Sequence, residues 1–503
     1  MPDSEASITG AAFQRSRALL DTVTDWLGGG ASAQATHAEL EAQLQTRGRD
    51  VLRQLLQDHL DLRAAREARL AGVSDADGVD HRYVERGHDR GLATVLGPVS
   101  VTRIAYRARG ATNLYPADAA LGLPEEKHSH GLRRLTAIEA TRGSFDAAVE
   151  AVQRATGVLL GKRQAQELTV RAAADIEDFY TARAPQQGTD ADVLVLSCDA
   201  KGIVMRPEAL RQATAKAATS RKLSTRLSKG EQRHRKRMAE VGAVYDAAPV
   251  VRTPADIIAT ATSDQPPRPA QPGPAARGKW LHASVTAEAA DVIAAVFDEA
   301  TRRDPDHRRT WVALVDGNNH QIERINAQAA DHDARVHIII DFIHVIEYLW
   351  KAAWCFWREG DKAAEKWVAG HAHAILAGRA STVAAAIRRK ATYNNLAATQ
   401  RNNADTAAAY LLNKRPYLDY RSALANGWPI ATGVIEGACR HLVKDRMDIT
   451  GARWGLDRAE AILKLRALTS NGDFEAYWAY HLAQEQQRVH KARYANGAIP
   501  LAA

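Results

Sequence analysis

Cysteine is scarce in this chain. Only Cys198, Cys355 and Cys439 occur in 503 residues, an odd number set far apart, which excludes a disulfide framework and any paired-cysteine metal site. A reducing cytoplasm is the expected compartment. Long apolar runs are missing as well. They reach only about five or six residues, far short of the roughly 20 that a membrane span needs, and the start lacks the charged-then-apolar pattern of a signal peptide. A soluble protein with no membrane partner is expected. Charge is not strongly one-sided either: 67 basic residues face 59 acidic ones, a net charge of +8. This balance suits a polyanionic partner without requiring one, so the clustering of basic residues matters more than their total. What the chain has in quantity is apolar residues, 46%, ample for packed cores in about three domains.

Four acidic positions stand out by their settings. Asp199 ends the apolar run Val193-Leu-Val-Leu-Ser-Cys198, Asp316 ends Trp311-Val-Ala-Leu-Val315, and Asp341 ends Val336-His-Ile-Ile-Ile340. Glu436 lies in Thr432-Gly-Val-Ile-Glu-Gly437, a helical stretch. Three strand-end carboxylates and one on a helix are what a two-metal phosphoryl-transfer site requires. Hard cations take oxygen ligands, and the ligands must converge on one edge of a rigid sheet.

The surrounding elements follow from periodicity. Residues 1–75 read as helices, with Thr36-His-Ala-Glu39 as a capping box; the pair is either an ordinary packed hairpin or a dimerising one. Residues 76–190 combine a β ribbon with a helix-turn-helix-like segment. The ribbon, from 82 to 107, carries Arg82, Arg86, Arg90, Arg103, Arg107 and Arg109, either along a phosphate backbone or as a solvated basic face. The segment from Ser144 reads helix, short turn, helix; its second helix offers Lys162, Arg163, Gln164 and Gln166 to base edges, with a plain helical hairpin as the alternative.

From residue 191 to 341 the order is three strands, helix, strand, helix, strand, which is the RNase H-like order. Two excursions interrupt it. Residues 206–240 hold a basic cluster with Arg221, Lys222, Arg235, Lys236 and Arg237, dense enough to contact DNA backbone, and 252–278 hold a proline-rich loop. Asp199 to Asp316 spans 117 positions and Asp316 to Glu436 120, so residues 342–430 read as a helical insertion in the second gap. Ile343, Ile346, Trp350, Ala353, Trp354 and Trp357 are expected to form that insertion's core. Residues 431–503 complete the core with helices, in which Glu436, Arg440 and Lys444 recur at i, i+4 and i+8, followed by Arg446 and Arg453. The expected architecture is an α/β RNase H-like catalytic core with an all-α insertion, preceded by a mainly helical N-terminal region containing a small β ribbon.

The motifs Ser197-Cys-Asp-Ala-Lys-Gly202, Val315-Asp-Gly-Asn-Asn-His320, Ile340-Asp-Phe-Ile-His-Val-Ile-Glu-Tyr-Leu-Trp350 and Ala431-Thr-Gly-Val-Ile-Glu-Gly-Ala-Cys-Arg-His441 carry a resemblance, with Lys444-Asp-Arg-Met447 and Thr450-Gly-Ala-Arg-Trp454 beside them. Here the chain resembles the DDE transposases of bacterial insertion sequences, specifically the ISKra group, related to the Mutator-like superfamily. The likeness is dense over the catalytic region and loose over the first 190 residues. It implies Asp199, Asp316 and Glu436 as the catalytic triad and metal ligands, and Asp341 and His344 as a supporting Asp-x-x-His element. It also implies two Mg²⁺ (or Mn²⁺) ions, double-stranded DNA (element ends and target) as partner, and at least a homodimer. For Asp341, helix capping with site support is weighed against direct ligation. A nuclease that does not join ends and a non-catalytic DNA-binding repressor are the other readings of the same residues.

Overall fold

The computed structural model describes residues 12–185, 188–218, 235–258, 271–449 and 451–500. Two units divide the chain: residues 1–181 with 473–503, and residues 182–472. The segment 473–503, expected with the catalytic core, is thus part of the first unit. Among the described residues no helix is long and apolar enough to cross a membrane.

In the first unit, helix α1 (Gln14–Gly28) packs on α2 (His37–Arg66). Thr36 starts α2 by reciprocal capping: its amide donates to the Glu39 carboxylate at 2.8 Å and its hydroxyl accepts from the Glu39 amide at 3.4 Å. Asp58 fixes the pair, fully buried on α2 and accepting from the Ser16 amide at 3.0 Å and from Arg15 at 3.1 Å. The ribbon is an antiparallel hairpin, β1 (Tyr83–Thr94) and β2 (Gly97–Arg107), and its apolar side joins Leu60, Leu92, Val99 and Val101 in one cluster. Its arginines do not form one phosphate-facing row. Arg103 is buried against Asp118 at 2.8 Å, Arg90 donates to the carbonyl of Glu125 at 2.8 Å, and Arg107 pairs with Glu85 at 2.8 Å. Helices α3 (His130–Arg142), α4 (Phe145–Thr156) and α5 (Lys162–Ala172) then pack on one another, with Gly157 left-handed in the expected turn.

A buried ionic network ties the chain's end into this unit. Arg133, fully buried on α3, pairs with Glu126 at 2.5 Å and with Glu485 at 2.8 Å, and Glu485 ends the helix Phe474–Glu485. Arg488 reaches Asp175 at 2.9 Å and Glu485 at 2.7 Å. Burial alone would raise the Glu485 carboxyl, but hydrogen bonds from Arg488 and Arg133 outweigh it and hold the group at about 2. A carboxyl depressed in the folded state contributes stability above its ordinary value near 4.5, and that contribution disappears as pH falls through about 2. Burial, outweighing Asp175, also holds His481 below its ordinary value, which acts in the same acid-labile direction. Thermal melts are therefore expected to show a falling unfolding temperature as pH drops across this window, with a shallower fall in Glu485→Gln.

The second unit is built on β3 (Val193–Val204), β4 (Lys236–Ala247), β5 (Ala276–Ser284), α6 (Ala289–Arg303), β6 (Trp311–Val315), α7 (Asn319–Asp331) and β7 (Val336–Ile340). This is the expected succession of three strands, helix, strand, helix, strand. Across the sheet the order is β5-β4-β3-β6-β7. β4 pairs antiparallel with β3 and β5, whereas β3, β6 and β7 pair in parallel, so β4 alone runs against the others. Every residue of β6 is buried, as a central parallel strand demands. β3 does not stop at Asp199. It continues to Val204 because β4 extends beside it to Lys236, while its pairing with β6 ends at Ser197.

At the opposite end of β3, Asp246 shows how this fold treats an acid that is only structural. It is buried, paired with Arg309 at 2.5 Å and with Arg303 at 3.5 Å, and Arg303 also bonds Glu299 at 2.8 Å.

After β7 come α8 (Phe342–Ala353), α9 (Lys362–Leu376), α10 (Ala380–Tyr393) and α11 (Ala398–Asn413), the all-helical stretch expected between the sheet and Glu436. The tryptophan stripe is not its core. The buried face of α8 is Phe342, Val345, Leu349, Ala352 and Ala353, while Ile343 is 49% and Trp354 41% exposed. The apolar positions supported two helical stripes, and the smaller side chains took the inner one. Helix α12 (Gly433–Ala438) carries Glu436 and passes into a π-helical turn over Cys439–Lys444. Helix α13 (Leu456–Ser470) follows and packs on β5.

A candidate metal centre at the sheet edge

The register of the three parallel strands assembles the acids. Ser197 pairs with Leu314 and Leu314 with Ile339, so Asp199, Asp316 and Asp341 each stand two residues past one rung, at the C-terminal edge. Among the described residues, the group of ligand atoms that lie within 4.8 Å of one another comprises Asp341, His344 and Glu436, without Asp199 or Asp316. The Asp341 amide still donates to the Val315 carbonyl at 2.8 Å, which carries the pairing up to the acids.

Each acid is held differently. Asp341 is 1% exposed and caps α8: its Oδ1 accepts from the Ile343 amide at 2.7 Å, and its Oδ2 accepts from the Thr432 amide at 3.1 Å and from the Thr432 hydroxyl. Capping, weighed earlier against ligation, is present, and it leaves the residue inside the cluster. Asp316 is exposed and its Oδ1 accepts from the Asn318 amide at 2.8 Å. Asp199 accepts from the Ala200 amide at 2.7 Å and from the Cys439 thiol, which burial and that carboxylate push far above its ordinary value. Glu436 is exposed on α12.

Thr432, Glu436 and Cys439 succeed one another at i, i+4 and i+7, so one side of this helix faces the acid edge. Thr432 Oγ1 touches Asp341 and lies 3.0 Å from Glu436 Oε1. One hydroxyl proton serves only one of the two carboxylates, and the surplus negative charge invites a cation. One ligand atom each from Asp341, His344 and Glu436 lies within 4.8 Å of the other two. His344 Nδ1 is 3.6 Å from Glu347, an outer carboxylate of the kind that orients ligand imidazoles. Among the described residues, none of Asp199, Asp316, Asp341 and Glu436 forms an ion pair with lysine or arginine, in contrast to Asp246.

Three residues at this edge had no clear sequence signal. Glu240 on β4 sits beside Ala200, and burial raises its carboxyl, with Asp199 adding to the effect. Tyr410 on α11 donates to the Asp316 carbonyl at 3.5 Å and stacks on Tyr348 at 3.9 Å. Gly317 follows Asp316 with φ +95, and a Cβ there would lie 2.7 Å from the Tyr410 hydroxyl. Gly317→Ala is therefore expected to cost about 1–3 kcal/mol in chemical unfolding, with Tyr410→Phe relieving only the contact part. Thr432, by contrast, was readable as one turn before Glu436.

The expected DNA-contacting residues divide into three groups. Arg440, Lys444 and Arg453 are exposed, and Arg440 is only 4.0 Å from Asp445. An i+4 spacing drifts about 40° per step in an α-helix; the wider π turn counters this and keeps Glu436, Arg440 and Lys444 nearer one line. Arg446 is a correction: it is buried, with its guanidinium 4.9 Å from the Trp454 ring, and burial lowers it to about 10. Arg237 is another, since it donates to the carbonyls of Val285 at 2.6 Å and Thr286 at 3.2 Å and fastens a loop. Lys236 Nζ lies 3.6 Å from Asp448, and Arg235 is half-buried; Arg221 and Lys222 lie outside the described residues. In the first unit, Lys162 pairs with Asp146 at 2.6 Å, Arg163 with Glu167 at 2.9 Å, and Gln164 accepts from the Gly161 amide at 2.9 Å as a cap. Gln166 is half-buried on α5. Lys162 and Arg163 stay exposed.

No protein-family model and no curated protein matches the chain.

Proposed function

We propose that the protein is a DDE-type transposase that binds the terminal inverted repeats of its own element, cleaves DNA strands and joins the freed 3′ ends to target DNA. The observation that carries this is the placing of Asp199, Asp316 and Asp341 at one edge of the sheet, each two residues past a common rung, with Glu436 joined to Asp341 through Thr432 and, among the described residues, no lysine or arginine paired with the four. The sheet order, with β4 alone reversed, supports an RNase H-like core. The donor set is rich in carboxylate oxygens, which fits Mg²⁺ or Mn²⁺. Asp199, Asp316 and Glu436 would hold two such ions, with Asp341 and His344 supporting them. Bound there, the ions supply an activated water or 3′-hydroxyl and neutralise the leaving oxygen.

The chain's own residues do the rest. Thr432 fixes Asp341 and Glu436 relative to each other, Cys439 orients Asp199, and Arg440 and Lys444 receive phosphates beside Glu436. Synapsis of two element ends calls for at least a dimer. The exposed Leu20, Leu27, Leu44, Leu52 and Leu55 of α1 and α2 suit that role, and a cytoplasmic site of action accompanies it.

The test is incubation of the full chain with Mg²⁺ and DNA carrying the inverted repeats that flank its reading frame. Joined products are expected. Cutting without joining would replace the transposase by a nuclease, and binding without cutting by a non-catalytic DNA-binding protein.

A further inference from the structure

The first unit holds a cavity of about 200 Å³ between the β1–β2 ribbon, residues 114–125 and the end of the chain. Three arginines line it, Arg90 and Arg103 from the ribbon and Arg493 from the C-terminal segment. Arg90 pairs with Val101 and Arg103 with His88, so the two are diagonal neighbours on one face of the ribbon, the face that also carries Leu92, Val99 and Val101. Among the described residues one carboxylate is paired with both: Asp118 lies 2.8 Å from Arg103 Nε and 3.5 Å from Arg90 Nη1. Arg90 commits its Nη2 to the carbonyls of Pro124, Glu125 and Glu126. Arg103 is less well served. It is 8% exposed, and its one hydrogen bond among the described residues runs from Nη1 to the His88 carbonyl at 2.8 Å. Its contact with Asp118 is not aligned as a hydrogen bond, and both Arg103 Nε and Asp118 Oδ1 are left without such a partner. A guanidinium carries five N–H donors, and buried donors left unmet beside a cavity mark a place for an acceptor from outside the chain.

We propose that this cavity binds a phosphate group, held by Arg103 and Arg493, which fastens the C-terminal segment to the ribbon. Guanidinium forks match the oxygens of a tetrahedral oxyanion, whereas a cation would meet like charges and an apolar ligand would leave the donors unmet. The remaining charges agree. Three guanidiniums face two carboxylates, Asp118 and the exposed Glu125, which stands 3.9 Å from Arg493. His490 adds no charge near pH 7, since burial holds it below its ordinary value while its Nε2 bonds the Leu123 carbonyl at 2.7 Å. Burial raises the Glu67 carboxyl, the Ile104 amide and Arg103 only temper this, and Glu67 lines a different cavity. The ring face of Tyr115 beneath Arg103, whose guanidinium carbon is 4.3 Å from the ring centroid, is occupied and not open to a stacked ligand. Arg493 is presented by its backbone: its carbonyl accepts from the Ala76 amide at 3.0 Å, and the Ala495 amide donates to the Ser74 carbonyl at 3.1 Å. The site belongs to the first unit and does not depend on the assignment of the acids in the second. Phosphate reaches such a site free in solution or at the end of a nucleic-acid strand.

The experiment titrates inorganic phosphate calorimetrically into the full chain, in chelator and at constant ionic strength. Wild type is expected to show one saturable site. Arg493→Gln is expected to weaken it at least about tenfold, the loss of one charge-assisted bond, and Glu125→Gln to strengthen it by removing an opposing charge. Both positions are exposed, so melting curves of the two variants without phosphate are expected to match wild type. A short thymidine oligonucleotide with a 5′-phosphate is then compared with its 5′-hydroxyl form. Tighter binding of the phosphorylated form, lost in the presence of inorganic phosphate, would assign the site to strand ends; equal binding of the two forms, with the saturable phosphate site retained, would assign it to free phosphate. Wild type without a saturable phosphate site, or an unchanged affinity in Arg493→Gln, would overturn the proposal. Neither result bears on whether the chain cuts or joins DNA.

Discussion

Glu436→Gln is expected to lower DNA strand cleavage by at least about a thousandfold, with thermal unfolding and DNA affinity nearly unchanged. The substitution keeps size and shape and removes one negative charge. A metal ligand that stabilises the transition state contributes several kcal/mol, and about 4 kcal/mol corresponds to a factor near a thousand. The fold is expected to tolerate the change because Glu436 is exposed and its one side-chain hydrogen bond among the described residues, from the Thr432 hydroxyl at 3.0 Å, is one that an amide oxygen also accepts. Kinetic analysis with Mg²⁺, beside a melting curve and a binding titration, checks all three statements. Full cleavage by the variant would remove Glu436 from the site.

Arg309→Leu is expected to do the reverse, reducing stability by about 3–5 kcal/mol, because it leaves the buried Asp246 with a single charged partner among the described residues, Arg303 at 3.5 Å. Arg309 also donates to the Asp192 carbonyl at 3.1 Å, which would be left without that bond. Chemical denaturation measures the loss, and the double variant with Asp246→Asn is expected to recover part of it, since the uncompensated charge is then gone. An unchanged midpoint in Arg309→Leu would show that the two ends of the sheet do not differ in the way described. These two variants express one distinction: acids at one end are neutralised to hold the fold, and acids at the other are left available.

Much of the second unit was legible because its strands are short apolar runs ending in acids. Val193–Cys198, Trp311–Val315 and Val336–Ile340 each read as buried, and each falls in the sheet. Register was not legible, since it depends on which strands become neighbours, and only the pairing of Ser197 with Leu314 and Leu314 with Ile339 shows that all three aspartates stand two residues past one rung. Charge told less than position. Arg446 and Arg237 looked like DNA contacts, but a guanidinium serves equally well stacked on Trp454 or fastened to loop carbonyls, and only packing separates these uses. Helix α8 failed for a related reason: a helix apolar on several sides does not announce which side turns inward.

The most direct test of the metal centre needs no knowledge of the DNA sequence. Calorimetric titration of Mn²⁺ into the full chain, beside Asp199→Asn and Glu436→Gln, is predicted to show saturable binding in wild type and weakened or lost binding in both variants, with all three equally folded. Wild-type protein that takes up no Mn²⁺, or variants that bind it as wild type does, would contradict the assignment of the strand-edge acids to a metal site.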